Sequence, residues 1–229
     1  MENYKQTAMV KKIIISFLFV LFIFSCATYR KNEIISLKNI PLDFKRKDTI
    51  YYKRNTKIRV SRDETRYFIY RSYKKNNAIT HKSFYTIKDK KYLGNGTMFY
   101  TNPIGIWESY DENGKLKKIT NYDEPYKFSV NQLIKKMKNE YHINLAVNDK
   151  DRDIDVYRGI LRKIKPCYVV YYLSEERENF KRLLIDGTTG KTLVFQKLSI
   201  DSARYENPPS VHEIYFDSIN RLKPNYGKN

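Results

Sequence analysis

Between Ile50 and Ile87 the chain runs in short alternating segments, and that period of two restricts the fold more than any other feature. Ile50-Tyr51-Tyr52, Ile58-Arg59-Val60, Arg66 to Arg71 and Ser83 to Ile87 each place successive side chains on opposite faces of a strand. Polar turn signals such as Lys75-Asn76-Asn77 separate them. Strands this short with turns this close form an antiparallel meander. The composition agrees, with 21 Tyr and 12 Phe against 8 Gly, because aromatic side chains pack well on a pleated, half-buried surface.

The next segment carries a motif. Gly96-Thr97-Met98-Phe99-Tyr100 leads through Asn102-Pro103 to Gly105-Ile106-Trp107-Glu108-Ser109-Tyr110, then to Asp111-Glu112-Asn113-Gly114-Lys115-Leu116. Twice a glycine is followed by an aromatic four or five residues later, and each unit ends in a turn. Asn113-Gly114 is a two-residue hairpin signal, because both central positions of a type I′ turn need positive φ. Residues 92–122 resemble MORN-type repeats, in which a hairpin packs an aromatic ring over its neighbour's glycine. Trp107 is expected to be largely buried.

A helix follows. Ser129 caps it, Gln132 completes a capping box, and Val130, Leu133, Ile134, Met137 and Tyr141 share one face opposite Lys135, Lys138 and Asn139. Four strand-like runs come after it: 156–161, 167–173, 180–185 and 191–198. The turn between the last two holds Asp186, Thr189, Gly190 and Lys191. One helix, an antiparallel sheet and an Asp-x-x-Thr-Gly-Lys turn make residues 126–198 resemble a PepSY-type domain. That resemblance implies a non-catalytic extracytoplasmic binding module, in some members a peptidase inhibitor. The tail beyond Ser199 reads as loop or docked strand. The fold class is therefore α+β: a mostly antiparallel β-meander followed by one amphipathic helix packed on a small antiparallel sheet.

The start of the chain supplies an address. Lys11 and Lys12 precede an apolar run from Ile13 to Phe24, broken only by Ser16. That matches a secretory signal and is too short to span about 30 Å of hydrocarbon as a helix. Ile23-Phe24-Ser25-Cys26 resembles a lipobox, with the bulky Phe24 a departure, so cleavage before Cys26 and lipidation of Cys26 are expected. Ala27 in place of Asp points, by resemblance to enteric sorting rules, to the outer membrane, with the protein facing the periplasm. The organisation expected is a signal peptide at 1–25, a lipidated tether at 26–47, a β-rich meander at 48–125, a PepSY-like module at 126–200 and a basic tail at 201–229. With Cys26 lipidated, Cys167 has no disulfide partner, and in the run Cys167 to Leu173 it is expected to behave as a small buried hydrophobe.

Charge bears on partners. The chain has 44 Lys and Arg against 25 Asp and Glu, a net +19. Removing residues 1–25 takes away three Lys and one Glu and leaves about +17. In the cytosol that balance would suggest nucleic acid; in the envelope the anions are lipid headgroups, lipopolysaccharide phosphates and wall polymers, and no nucleic acid is expected. The positive charge is spread in pairs from Lys45-Arg46-Lys47 to Lys163 and Lys165, a pattern that a solvated surface also produces.

Catalytic signatures are absent from the sequence. His81, His142 and His212 lack the helical spacing of a zinc site, and Gly94-Asn95-Gly96 lacks the third glycine of a nucleotide loop. Asp149, Asp151, Asp153 and Asp155 alternate like calcium ligands but lack the glycine and the closing glutamate of an EF-hand loop. No enzyme activity, cofactor or metal is expected. The expected function is that of a lipid-anchored, non-catalytic binding or scaffold protein. The alternatives are a binder of envelope polyanions and a PepSY-like inhibitor of a secreted peptidase. Finally, Asp48-Thr49-Ile50, Asp201-Ser202-Ala203 and Asp217-Ser218-Ile219 resemble the acceptor triplet of a periplasmic O-glycosylation system. Thr49, Ser202 and Ser218 are thus candidate acceptors, expected at edges and tails outside the regular elements.

Overall fold

The computed structural model describes residues 48–148, 153–161, 165–205 and 208–222. Cys26, the signal segment, the tether, Asp149, Asp151 and the last seven residues lie outside them. Seven strands, β1 (Asp48–Lys53), β2 (Thr56–Arg62), β3 (Arg66–Tyr73), β4 (Asn76–Thr86), β5 (Tyr92–Phe99), β6 (Asn102–Tyr110) and β7 (Leu116–Asn121), form one sheet in sequence order. Every pairing is antiparallel. The helix α1 (Val130–Tyr141) follows, then a four-stranded antiparallel sheet of β8 (Asp155–Leu161), β9 (Lys165–Leu173), β10 (Asn179–Asp186) and β11 (Thr192–Ser199). The protein is α+β and mostly an antiparallel meander, as its alternating runs imply.

α1 forms where its capping residues place it. The Ser129 hydroxyl accepts the Gln132 N–H, while the Gln132 side chain accepts the Ser129 N–H at 2.7 Å. Val130, Leu133 and Met137 are buried, and Ile134 and Tyr141 pack beside them. This apolar stripe enters a core built from Val156, Tyr168, Val170, Leu183 and Ile185 of the small sheet and from Ala78, Phe99 and Ile104 of the large one. The two sheets therefore share one core. They are also joined at an edge: the Asn102 amide donates to Val156 O, and its oxygen accepts Arg158 N–H at 2.9 Å. A side chain thus supplies hydrogen bonds to the free edge of β8.

Two expectations need correcting. The chain beyond Ser199 is neither loop nor strand: it forms α2 (Ile200–Tyr205) and α3 (Val211–Leu222). Val211 of α3 is fully buried, and Ile214, Tyr215 and Phe216 pack with it against Leu161, Cys167, Val169 and Leu184. The β6–β7 connection is also not a type I′ turn, since Gly114 has φ +80° but Asn113 is not among the residues with positive φ. The Asp111 carboxylate accepts the N–H groups of Asn113 and Lys115 at 2.9 and 2.8 Å. It closes a wider loop, with a register shift beside Tyr110.

Candidate binding surface

Register assigns each side chain of the meander to a face. One face carries Ile58, Val60, Tyr67, Ile69, Ser83 and Tyr85, all buried. On it the rings of Tyr85, Tyr92 and Tyr110 follow one another at 5.5 and 5.4 Å between centroids. The opposite face is open. One row across it reads Asp48, Ser61, Phe68, Phe84, Gly94, Ser109 and Lys118, strand by strand from β1 to β7. The next reads Ile50, Arg59, Tyr70, Lys82 and Gly96, and a third begins Tyr52, Lys57 and Ser72. Phe68, Tyr70, Phe84 and Trp107 are half-buried there, while Tyr52 is 65% exposed and Ile50 50%.

Glycine makes this surface possible at two points. A Cβ on Gly96 would lie 2.0 Å from the Trp107 indole, and one on Gly94 would lie 2.2 Å from Glu108 O and 2.5 Å from the Phe84 ring. Trp107 and Phe84 therefore rest directly on glycine backbone. The Trp107 Nε1 donates to Thr97 O at 3.0 Å, and Tyr122 meets the indole edge-on at 5.9 Å. Most of the Trp107 side chain is covered by the sheet, as expected, and part of the ring is left toward solvent.

Cations lie over this aromatic layer. The Arg59 guanidinium is 4.6 Å from the Tyr70 centroid. The Lys82 ammonium is 4.5 Å from the Phe68 ring and 5.4 Å from the Tyr70 ring. Arg66 approaches Phe68 at 5.9 Å and pairs with Asp63 at the sheet's end. Among the described residues, the open face holds Lys57, Arg59, Arg66, Lys82 and Lys118 against one carboxylate, Asp48 on the edge strand. No ion pair among those residues takes Arg59, Lys82, Lys57 or Lys118. Ring quadrupoles hold the cations in place without neutralising them.

The other candidates are structural. Cys167 is 2% exposed, and burial pushes its thiol up to about 11. Its sulfur lies 3.5 Å from Gly159 O and 3.9 Å from His212 Nε2. A hollow of about 300 Å³ opens there, lined by Ile160, Leu161 and Phe216 as well. A thiol held protonated at neutral pH is a poor nucleophile. In the β10–β11 turn, the Asp186 carboxylate is buried, pairs with Lys165 at 2.7 Å and accepts Thr188 N–H at 2.8 Å. Burial opposes its ionisation, but the Lys165 and Thr188 hydrogen bonds prevail and hold the carboxyl below its ordinary range. Gly187 and Gly190 of this turn lie against Tyr126 and Phe128, and Phe128 N–H donates to Gly187 O at 2.9 Å. The turn thereby docks the segment that leads into α1.

His81 meets Thr97 Oγ1 at 3.1 Å, His142 forms the left-handed C-cap of α1, and His212 belongs to α3, so the histidines do not converge. Among the described residues no three His, Cys, Asp or Glu side chains gather as a metal site. The hydroxyl candidates stand inside regular elements, not outside them. Thr49 is in β1 opposite Val60, Ser202 is in α2 bonded to Ser199, and exposed Ser218 is in α3 with its hydroxyl on Tyr215 O.

The group that sequence reasoning missed is Arg158. Its side chain is 4% exposed, donates to Pro103 O and Asp123 at 2.8 Å each, and lies 4.0 Å from the Tyr126 ring. Its partners are 32 to 55 positions away in sequence, so no local pattern announces them.

Fold and surface together define an antiparallel α+β protein with one open, basic and aromatic sheet face. No family model matches the chain, and no curated protein or solved structure matches it. Among the described residues no helix is long and apolar enough to cross a membrane.

Proposed function

We propose that this is a lipid-anchored, periplasm-facing envelope protein that acts as a non-catalytic binding module. The open face of its seven-stranded sheet is the surface that engages acidic envelope material. The observation that carries this reading is the layer of Arg59 and Lys82 over Tyr70 and Phe68, on a face with one edge carboxylate. Coulombic attraction from unpaired cations is what an anionic polymer would meet first. The anchor is supported by the short apolar run that ends at Ser25-Cys26. Aromatic rings resting on Gly94 and Gly96 support the MORN-like reading of the hairpins, and the Asp186 turn supports the PepSY-like reading of the second module as architecture.

Two arms test the proposal. In the native host, Cys26→Ala should appear in the soluble fraction or as an unprocessed precursor; a variant that stays membrane-bound at mature size refutes the anchor. Purified protein should bind lipopolysaccharide with an affinity that falls steeply between low and moderate salt. Arg59→Ala with Lys82→Ala should weaken that binding. Affinity indifferent to salt and to both substitutions would remove the open face from consideration.

A further inference from the structure

We propose that β1 is an interface between two copies of this chain, which pair along it antiparallel about a two-fold axis and join their seven-stranded sheets into one. The edges at β7 and β8 show how this fold closes an edge. β7 carries Lys117 and Lys118, and the register shift beside Tyr110 leaves Lys117 with no residue opposite it. Edge lysines and bulges are how a sheet refuses a further strand. β8 is engaged by the Asn102 side chain. β1 has neither device. It pairs with β2 over all six residues without a shift, and among the described residues no other strand pairs with it. Its outward backbone N–H and C=O groups are therefore left without strand partners. Its Ile-Tyr-Tyr centre has high strand propensity, and Ile50 and Tyr52 are 50% and 65% exposed.

The sequence of the strand selects a second copy as the occupant. Strands joined edge to edge continue both faces of the sheet only where side chains of the same face stand opposite each other. Centred on Tyr51, that pairing sets Ile50 against the partner's Tyr52, Thr49 against the partner's Lys53 and Asp48 against the partner's Arg54. No like charges meet, an aliphatic side chain faces an aromatic one, and a carboxylate lies beside a guanidinium at both ends. Arg54 is exposed in the β1–β2 turn, where its side chain can reach that carboxylate. Centring the pair on Ile50 would instead set Asp48 against the partner's Tyr52 and lose both ion pairs. A six-residue edge is small beside the roughly 1,200 Å² that a stable interface buries, so the pairing is weak between free copies. Copies anchored in one leaflet meet at a raised effective concentration, and that step alone rests on the lipid-anchor reading above.

The test uses the full chain in its native host. Oxidative crosslinking is read in the membrane and soluble fractions, so failure of the anchor and failure of the pairing are told apart. Residues that face each other across the pair stand about 5 Å apart at Cα, within reach of a disulfide. Tyr51→Cys should therefore give a disulfide-linked dimer. Co-expressed Ile50→Cys and Tyr52→Cys chains should link to each other, at exposed positions where the fold tolerates substitution. Ile50→Cys alone should link roughly fivefold less, because its two sites lie diagonally, about 7–8 Å apart. The unsubstituted chain controls for Cys26 and Cys167, and Lys118→Cys on β7 should stay monomeric. Asp48→Arg should lower the yield roughly fivefold, as the loss of two exposed ion pairs implies, and adding Arg54→Asp should restore it. The inference is overturned by no link at 51 or between 50 and 52, by equal linking of Lys118→Cys, by links to a different protein only, or by failure of the Arg54→Asp rescue.

Discussion

Glycine decides the open face at the residue scale. Trp107 lies on Gly96 because a side chain at that position would occupy the indole's own volume, 2.0 Å from ring carbons. Gly94 adds a backbone reason, with φ +152° and Glu108 O close against it. The expected cost of Trp107→Ala is about 2–3 kcal/mol, below the range for a fully buried tryptophan because part of the ring already meets water. Gly96→Ala should destabilise by roughly 1–3 kcal/mol through overpacking. The informative measurement is the double variant in urea unfolding. If the ring is what Gly96 accommodates, removing the ring first should abolish most of the penalty at Gly96, whereas strictly additive losses would show that the two do not touch. The sequence pattern paired each glycine with an aromatic four or five residues on, whereas the rings that lie on Gly94 and Gly96 are Phe84 and Trp107, ten and eleven residues away on neighbouring strands. Burial of most of Trp107 was legible from the motif; which ring rests on which glycine was not, because strand register sets it.

Local patterns were read correctly at the scale of elements, where the local rule had no competitor. Period-two runs became β1 to β4, and the Ser129–Gln132 box became the start of α1. Asn113-Gly114 misled because Asp111, two residues earlier, caps the loop with its carboxylate and stabilises a longer turn. α3 was missed although its signals exist: Ser210 and Glu213 cap each other at 2.6 and 3.2 Å, and Val211, Ile214 and Tyr215 have helical spacing. The β10–β11 turn offers a pH test. Asp186 is held below its ordinary carboxylate range, mainly against burial, by Lys165 and Thr188. A depressed carboxyl contributes stability that is present above its unfolded value, near 3.9, and is lost as pH falls through its folded value. Asp186→Asn should therefore cost about 2 kcal/mol at pH 7, and the gap from the native protein should close below about pH 4. A gap that stays constant into acid would mean that the carboxylate charge contributes nothing.

How side chains divide between the two faces of the first sheet is a property of the whole molecule, and cations fall on both, with Lys53, Arg62 and Arg71 on the face of Ile58 and Val60. The sequence shows a net +19 spread through many lysines and arginines, and nothing in that spread distinguishes a surface. Only the register across seven strands gathers Lys57, Arg59, Lys82 and Lys118 on the face opposite buried Ile58, Val60 and Ile69. The junction is similarly non-local, since Asn102 and Arg158 join the two sheets through partners distant in sequence. The most direct measurement is lysine acetylation footprinting of the lipidated protein on membranes from its native host, read by mass spectrometry against detergent-released protein. Acetylation of Lys57, Lys82 and Lys118 is expected to fall on the membrane while Lys135, Lys138 and Lys197, exposed on α1 and β11, react unchanged. Equal labelling of both sets, or protection confined to the α1 and β11 lysines, would contradict the assignment of the open sheet face as the binding surface.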